Sequence, residues 1–179
     1  MLESLITSKT RIKLLLKFFL NSSTTAHLRG LENEFGESTN AIRLELNRFE
    51  EAGLLVAHSE GNRKMFSANT GHPLFKDINQ LVRKHLGIDQ LVDQVIVRLG
   101  EVEKVYLTGA FAHGKESPDI DILLVGGTVD TSYLERLIER AGSLIKRKVK
   151  YSLIDSNRFE ELSATLGKQD LLLLWQQNN

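Results

Sequence analysis

The sequence contains no cysteine, which excludes disulfides and thiolate-ligated metal centres and makes an intracellular setting the simpler expectation. It has no excess charge: 23 Lys and Arg balance 23 Asp and Glu, so the overall charge would not make the chain an avid binder of polyanions. Long apolar runs are missing as well. The apolar N-terminal stretch "MLESLITSKTRIKLLLKFFLNS" is interrupted by Lys13 and Lys17 and is followed by no small-residue cleavage site. It therefore reads as neither a signal peptide nor a membrane span, no membrane partner is expected, and the expected compartment is the cytoplasm. Internal repeats and low-complexity segments are lacking too. What is present is the balance of a soluble globular protein, 41% apolar and 26% charged residues in 179, enough chain for one large or two small cores.

The charge that exists is mildly segregated. Residues 1–87 carry 12 Lys and Arg against 9 Asp and Glu, and residues 88–179 carry 11 against 14. This agrees with a DNA-facing N-terminal half without establishing one. The hydrophobic periodicity changes at the same place. In "KTRIKLLLKFFLN", Ile12, Leu15, Leu16, Phe19 and Leu20 recur at helical spacing. "SSTTAHLRGLENEFG" predicts a cap-rich start, a short helix through Leu28, Leu31 and Phe35, and a stop at Gly36. "ESTNAIRLELNRFEEAGLL" predicts a third helix with Ser38 as N-cap, Ile42, Leu46 and Phe49 as its buried stripe, and Gly53 as its end. The short connection between the second and third helices fits a helix-turn-helix. "LLVAHS" and "RKMFSA" flank Glu60, Gly61 and Asn62, a hairpin signal. Three helices closed by a hairpin make a winged helix. A linker helix of the kind that mediates dimerisation is expected from about Pro73 to Leu86.

The second half alternates helix and strand: "IDQLVDQVIVRLG" helical, "KVYLTG" and "DIDILLVGG" extended, "TSYLERLIERAGSLIKR" helical and "KVKYSLID" extended. "SNRFEELSATLGKQDLLLLWQQNN" reads as two short helices parted at Gly167, with "DLLLLWQQ" as a core helix and Trp175 as packing. The expected fold class is thus α+β: an N-terminal winged helix-turn-helix domain over residues 1–87 and a small α/β domain over residues 88–179.

On the third helix, Asn40, Arg43 and Asn47 share the face opposite Ile42, Leu46 and Phe49. Arginine can bind guanine bidentately and asparagine can do the same with adenine. Thr39 and Arg48 flank them within reach of phosphates, and the turn residues Asn62, Arg63 and Lys64 can meet the backbone or minor groove. The bland alternative for each is a solvated polar side chain. Residues 9–68, with "STNAIRLELNRFEEAGLL" as recognition helix running into the wing, resemble the winged-helix domains of ArsR- and MarR-like bacterial regulators. That resemblance implies double-stranded DNA as partner and a homodimer on a near-palindromic site. A protein-binding winged helix is the alternative, since fold alone does not fix function.

In "VYLTGAFAHGKESPDIDILLVGG", Asp119 and Asp121 stand at alternate strand positions, so their carboxylates share a side with Cα atoms about 7 Å apart, an arrangement suited to Mg2+. Gly109, Ala110, the loop "FAHGKESP" and the Asp119-Ile120-Asp121 run resemble nucleotidyltransferases of the DNA polymerase beta superfamily over residues 103–155. The resemblance implies Mg2+ and a nucleotide as cofactors, Asp119 and Asp121 as metal ligands, and Gly109, Ala110, His113 and Lys115 as nucleotide-binding candidates. The chain departs from the family pattern at three points. Ala110 stands where the family has serine or glycine, the loop is short, and the third carboxylate expected on a later strand is missing from "KVKYSLI".

Lys148, Lys150 and Ser152 are expected on the aspartate side of that strand, where an ammonium can replace the metal as an internal counter-ion; Asp155 is a third ligand only if the register shifts. His113 is expected to be an exposed loop histidine with no partner. A P-loop reading of "GAFAHGKE" is rejected, because Glu116 replaces the Ser/Thr and a strand rather than a helix follows the lysine.

The function expected is a DNA-binding transcriptional regulator with a catalytically degenerate nucleotidyltransferase-like domain, a nucleotide as effector, and no assigned catalytic residue. The alternative is an active Mg2+-dependent nucleotidyltransferase moving a nucleoside monophosphate to a protein or small-molecule acceptor. A third is a pure protein-interaction module.

Overall fold

The computed structural model describes residues 2–95, 99 and 102–177. The chain divides into two compact units, one made of Met1–His85 and Gly114–Glu116, the other of Leu86–His113 and Ser117–Asn179. Together they form a mixed α+β protein with two sheets. No helix among the described residues is long and apolar enough to cross a membrane.

In the first unit, α1 (Lys9–Leu15) starts at Ser8, whose hydroxyl accepts from the Arg11 N–H, and runs on into a π-helical turn, Leu16–Leu20. A π turn shifts the backbone register, and the Asn79 amide donates to the carbonyls of Phe19 (2.6 Å) and Leu20 (3.3 Å) there. A three-residue strand, β1 (Thr25–His27), precedes α2 (Leu28–Phe35), which Gly36 ends in the left-handed conformation. The cap-rich start expected at this point is therefore partly a strand. Thr25 and His27 give too short an alternation to signal it, and the edge of β3 supplies the hydrogen bonds.

Ser38 caps α3 (Thr39–Glu51) by accepting from the Ala41 N–H. The strands β2 (Leu55–Glu60) and β3 (Arg63–Ala68) form an antiparallel hairpin around Gly61 and Asn62, giving a sheet of order β1-β3-β2. Ile42, Leu46 and Phe49 are buried as their spacing dictates, beside Leu14, Phe18, Phe19, Leu31 and Phe66. The Phe19 ring meets Phe49 edge-on and Phe75 tilted, so α4 (Phe75–Leu86) is anchored to this core by Phe75 and Asn79.

The second unit is a four-stranded sheet of order β6-β5-β4-β7. Its helix α5 (Ile88–Val95) covers the first part of the helix expected at "IDQLVDQVIVRLG"; residues 96–98 and 100 of that expectation lie outside the described residues. Then follow β4 (Val102–Thr108), the single turn α6 (Gly109–Ala112), β5 (Asp119–Gly126), α7 (Thr131–Ile145), β6 (Lys148–Ile154) and α8 (Ser156–Thr165). The strand β4 runs antiparallel to β5, and β5 runs parallel to β6 through the crossover helix α7.

The last element is β7 (Leu172–Gln176), a strand and not the expected core helix. Four consecutive leucines satisfy either period, and the open edge of β4 decides the matter by pairing antiparallel with the segment. Trp175 lies opposite Val105, half-buried.

Alternation sets the two faces of this sheet. Val105, Leu107, Ile120, Ile122, Leu124 and Val149 are buried on the side packed by α5 and α7. The register Tyr106–Leu123–Ser152 and Thr108–Asp121–Lys150 lies on the other side, where Phe159 of α8 stacks on Tyr106 with centroids 4.9 Å apart.

Candidate functional site

Two surfaces hold the chemistry, one in each unit. In the first, α3 presents Asn40, Arg43, Asn47 and Arg48 exposed while the opposite stripe is buried. A concave notch of ≈ 630 Å³ opens beside it, lined by Arg43 and Asn47 from α3 and by Asn62, Arg63 and Lys64 from the hairpin. Five of the residues singled out in the sequence therefore converge. His27 and Arg29, from the start of α2, line the same notch. They were not anticipated, and the one sequence cue was a basic residue in the first turn of a helix. Among the described residues no carboxylate lines the notch.

Of the other candidates, Thr39, Asn40 and Arg48 do not line it. Thr39 is half-buried at the start of α3. Asn40 accepts a hydrogen bond from Arg43 (3.2 Å), which orients the guanidinium along the helix. Lys64 is paired with Glu50 at 2.7 Å.

Arg48 is bound to a group the sequence did not single out. Glu45 is 5% exposed on α3. It accepts from Ser8 Oγ (3.1 Å), from Arg11 Nε (2.9 Å) and Nη2 (3.2 Å), and from Arg48 Nη1 (3.1 Å). Burial works to raise its pKa, but the hydrogen bonds from Arg11 and Ser8 and the charges of Arg11 and Arg48 outweigh it and hold the carboxyl below its usual range. This cluster fixes the pitch of α3 against α1. A lone glutamate inside a charged helix gives no sequence signal of its own.

In the second unit the aspartates stand where the strand reading puts them. Asp121 is opposite Thr108 on β4 and Lys150 on β6. Gly109 follows at φ +64°, and a Cβ there would lie 2.6 Å from Asp121 Oδ2. The glycine is required twice over, for the left-handed backbone and for the close approach of the carboxylate. Ala110 sits in α6, directly after it. The loop before β5 is held by Arg147, which donates to the Ser117 carbonyl (2.7 Å), and by Ser117 Oγ, which accepts from the Asp119 N–H (3.2 Å).

Lys150 Nζ forms a short ion pair with Asp119 Oδ2. The hydrogen bond from Lys150 lowers the Asp119 pKa, and that to Asp119 raises the Lys150 pKa, with Asp121 adding to the latter. By sign, the pair is lost only as pH falls through the depressed Asp119 value or climbs through the raised Lys150 value, so it persists across neutral pH.

These residues do not fit a divalent ion. Two carboxylates face an ammonium already hydrogen-bonded to one of them, and among the described residues no group of three His, Asp or Glu side chains is placed to hold a metal. Asp155 does not supply a third ligand. It caps α8, accepting from the Arg158 N–H at 2.9 Å, and lies past the far end of β6, about 16 Å along the strand direction from Lys150.

His113 has a partner, contrary to expectation: its Nε2 is 3.1 Å from Asp170 Oδ1. Asp170 also accepts from the Gly167 N–H at 2.6 Å. The two residues are 57 positions apart in sequence, too far for any local pattern to reveal. Lys115 is exposed and belongs with Gly114 and Glu116 to the first unit.

No protein-family model matches the sequence, and no curated protein matches it. Among solved structures the chain is similar to reduced HlyU from Vibrio cholerae, with 16% identity, TM-score 0.37, and coverage of 46% of this chain and 82% of that one. It is also similar to a putative nucleotidyltransferase from Sulfolobus solfataricus, with 23% identity, TM-score 0.38, and coverage of 56% and 86% respectively. A third similar structure is the toxin-antitoxin MntA-HpeT mutant, with 15% identity, TM-score 0.39, and coverage of 50% and 73%.

Proposed function

We propose that the chain is a cytoplasmic, homodimeric DNA-binding transcriptional regulator whose N-terminal unit is a winged helix and whose C-terminal unit is a nucleotidyltransferase-like domain without catalysis. The observation that carries the reading is the convergence of Arg43 and Asn47 of α3 with Asn62, Arg63 and Lys64 of the hairpin around one notch that no carboxylate lines among the described residues. Arg43 and Asn47 are the base-reading pair, and Arg29, Arg63 and Lys64 address phosphates. The Glu45 cluster keeps α3 at the angle that presents them.

Loss of catalysis rests on Lys150. Its ammonium, bound to Asp119, puts a positive charge on β6 where a third carboxylate would have to stand, and so repels the Mg2+ on which nucleotidyl transfer depends.

The test is titration of a labelled duplex by fluorescence anisotropy at stepped salt concentrations. Saturable binding whose logarithm falls with log salt by about 0.9 per phosphate neutralised is expected, and Arg43→Ala should weaken it. Salt-insensitive binding, or none, would overturn the regulator reading. Transfer of label from ATP, GTP, CTP or UTP in Mg2+, abolished by Asp119→Ala, would overturn the loss of catalysis.

A further inference from the structure

The aspartate side of the C-terminal sheet carries a cleft of ≈ 490 Å³, within the range of small-molecule sites. Its lining is chiefly aliphatic. Leu123 and Ile154 come from the sheet, and Leu162, Leu166 and Leu171 from α8 and the segment after it. The hydroxyl-bearing Thr108 and Ser152 line the same space. The titratable residues that line it, His113 and Asp170, are engaged with each other, and among the described residues no lysine or arginine lines it.

A second observation shows that this apolar surface is unfinished. The helix α8 is docked through Phe159 on Tyr106, yet none of its residues is buried. Leu162 and Leu166 remain 38% and 36% exposed at the cleft. A helix that turns leucines toward a sheet and leaves them wet lacks the apolar layer that would normally lie between them.

We propose that this cleft binds a small uncharged molecule with an apolar body and one hydrogen-bonding group. The body lies between Leu162 and Leu166 on one side and Leu123 and Ile154 on the other. The polar group reaches the hydroxyls of Thr108 and Ser152. A nucleoside triphosphate is the wrong chemistry, because among the described residues no lysine or arginine lines the cleft and Lys150, farther along the same face of β6, is bound to Asp119, so a polyanion would lose its hydration without replacement. The proposal concerns the second unit alone and stands whether or not the first binds DNA.

The test is titration of the full chain with the uncharged apolar fluorophore N-phenyl-1-naphthylamine, whose emission rises in apolar surroundings. Saturable binding of one probe per chain is expected, with no displacement by Mg2+-ATP. Leu162→Asp should weaken it by about ten-fold or more, since a carboxylate would be desolvated against the ligand. Leu144→Asp, at the 55%-exposed Leu144 of α7, should leave it unchanged. Should Leu162→Asp alter the helical circular dichroism, Ser152→Gln, which fills the cleft from β6, must give the same loss. Unsaturable emission, equal affinity in the cleft variants, or displacement by Mg2+-ATP would overturn the assignment.

Discussion

The two units dispose of their charges in opposite ways. In the first, the buried Glu45 draws Arg11 and Arg48 onto itself while Arg29, Arg43 and Arg63 stay on the surface around a notch that, among the described residues, no carboxylate lines. In the second, the exposed Lys150 is bound to Asp119, and His113 is bound to Asp170 at the mouth of an aliphatic cleft. The contrast teaches that a neutral chain can still gather arginines around one surface. What matters is which cations are spent on internal partners, and the count of 23 against 23 is silent on that.

The largest effect should come from removing the internal partner in the first unit. Glu45→Ala leaves Arg11 and Arg48 without their shared carboxylate, and a loss of about 2–4 kcal/mol in unfolding free energy is expected, at the low side of a broken buried pair because both arginines keep some hydration. Urea denaturation measures it. The Glu45 pKa is depressed in the folded chain, so its contribution is complete above the unfolded value near about 4.3 and is lost as pH falls through the folded one. The gap between wild type and variant should close in acid; a gap that widens there would break the comparison.

Next is Gly109→Ala, where a Cβ meets Asp121 and the backbone is held at φ +64°. A destabilisation of about 1–3 kcal/mol is expected by the same measurement, with duplex affinity unchanged because the change lies in the other unit. Arg43→Ala should do the reverse. It should cost about 1–3 kcal/mol of binding to a preferred duplex and relax its sequence preference, with stability within error of wild type.

The smallest structural effect is expected at Lys150, an exposed side chain. Lys150→Asp should fold like wild type but place a third carboxylate opposite Asp121, so that Mg2+ binding becomes measurable by calorimetry where wild type shows none. Mg2+ heats in wild type equal to those of the variant would show that Lys150 does not exclude the ion.

Much of this was legible because it is local. Ser38, Gly36 and the Gly61-Asn62 turn mark element ends by their own chemistry. The alternation of Asp119, Asp121 and Leu123 assigns a face without reference to any other strand, and the placement of Lys150 beside the aspartates follows from the same period. What escaped depends on partners distant in the chain. The strand β1 exists because β3 offers an edge, β7 because β4 does, and neither Thr25–His27 nor a run of leucines carries a period that would announce it. The ties of Glu45 to Arg11 and of His113 to Asp170 span 34 and 57 positions and belong to tertiary structure alone. Convergence of α3 with the hairpin was foreseen as a list of residues. That His27 and Arg29 complete the notch was not, because they owe their place to the packing of α2.

The pairing of Lys104 with Gln176 and of Leu107 with Leu172 bears on how the chain is made. While a ribosome still holds the residues after Ile154, β4 presents an uncovered backbone edge beside β5, with Val105 and Leu107 on it. Such an edge invites pairing with a neighbouring nascent chain. The sheet of the first unit has no comparable interval, since β1, β2 and β3 have all emerged by Ala68. Until β7 has been made, the β4 edge that it covers stays open.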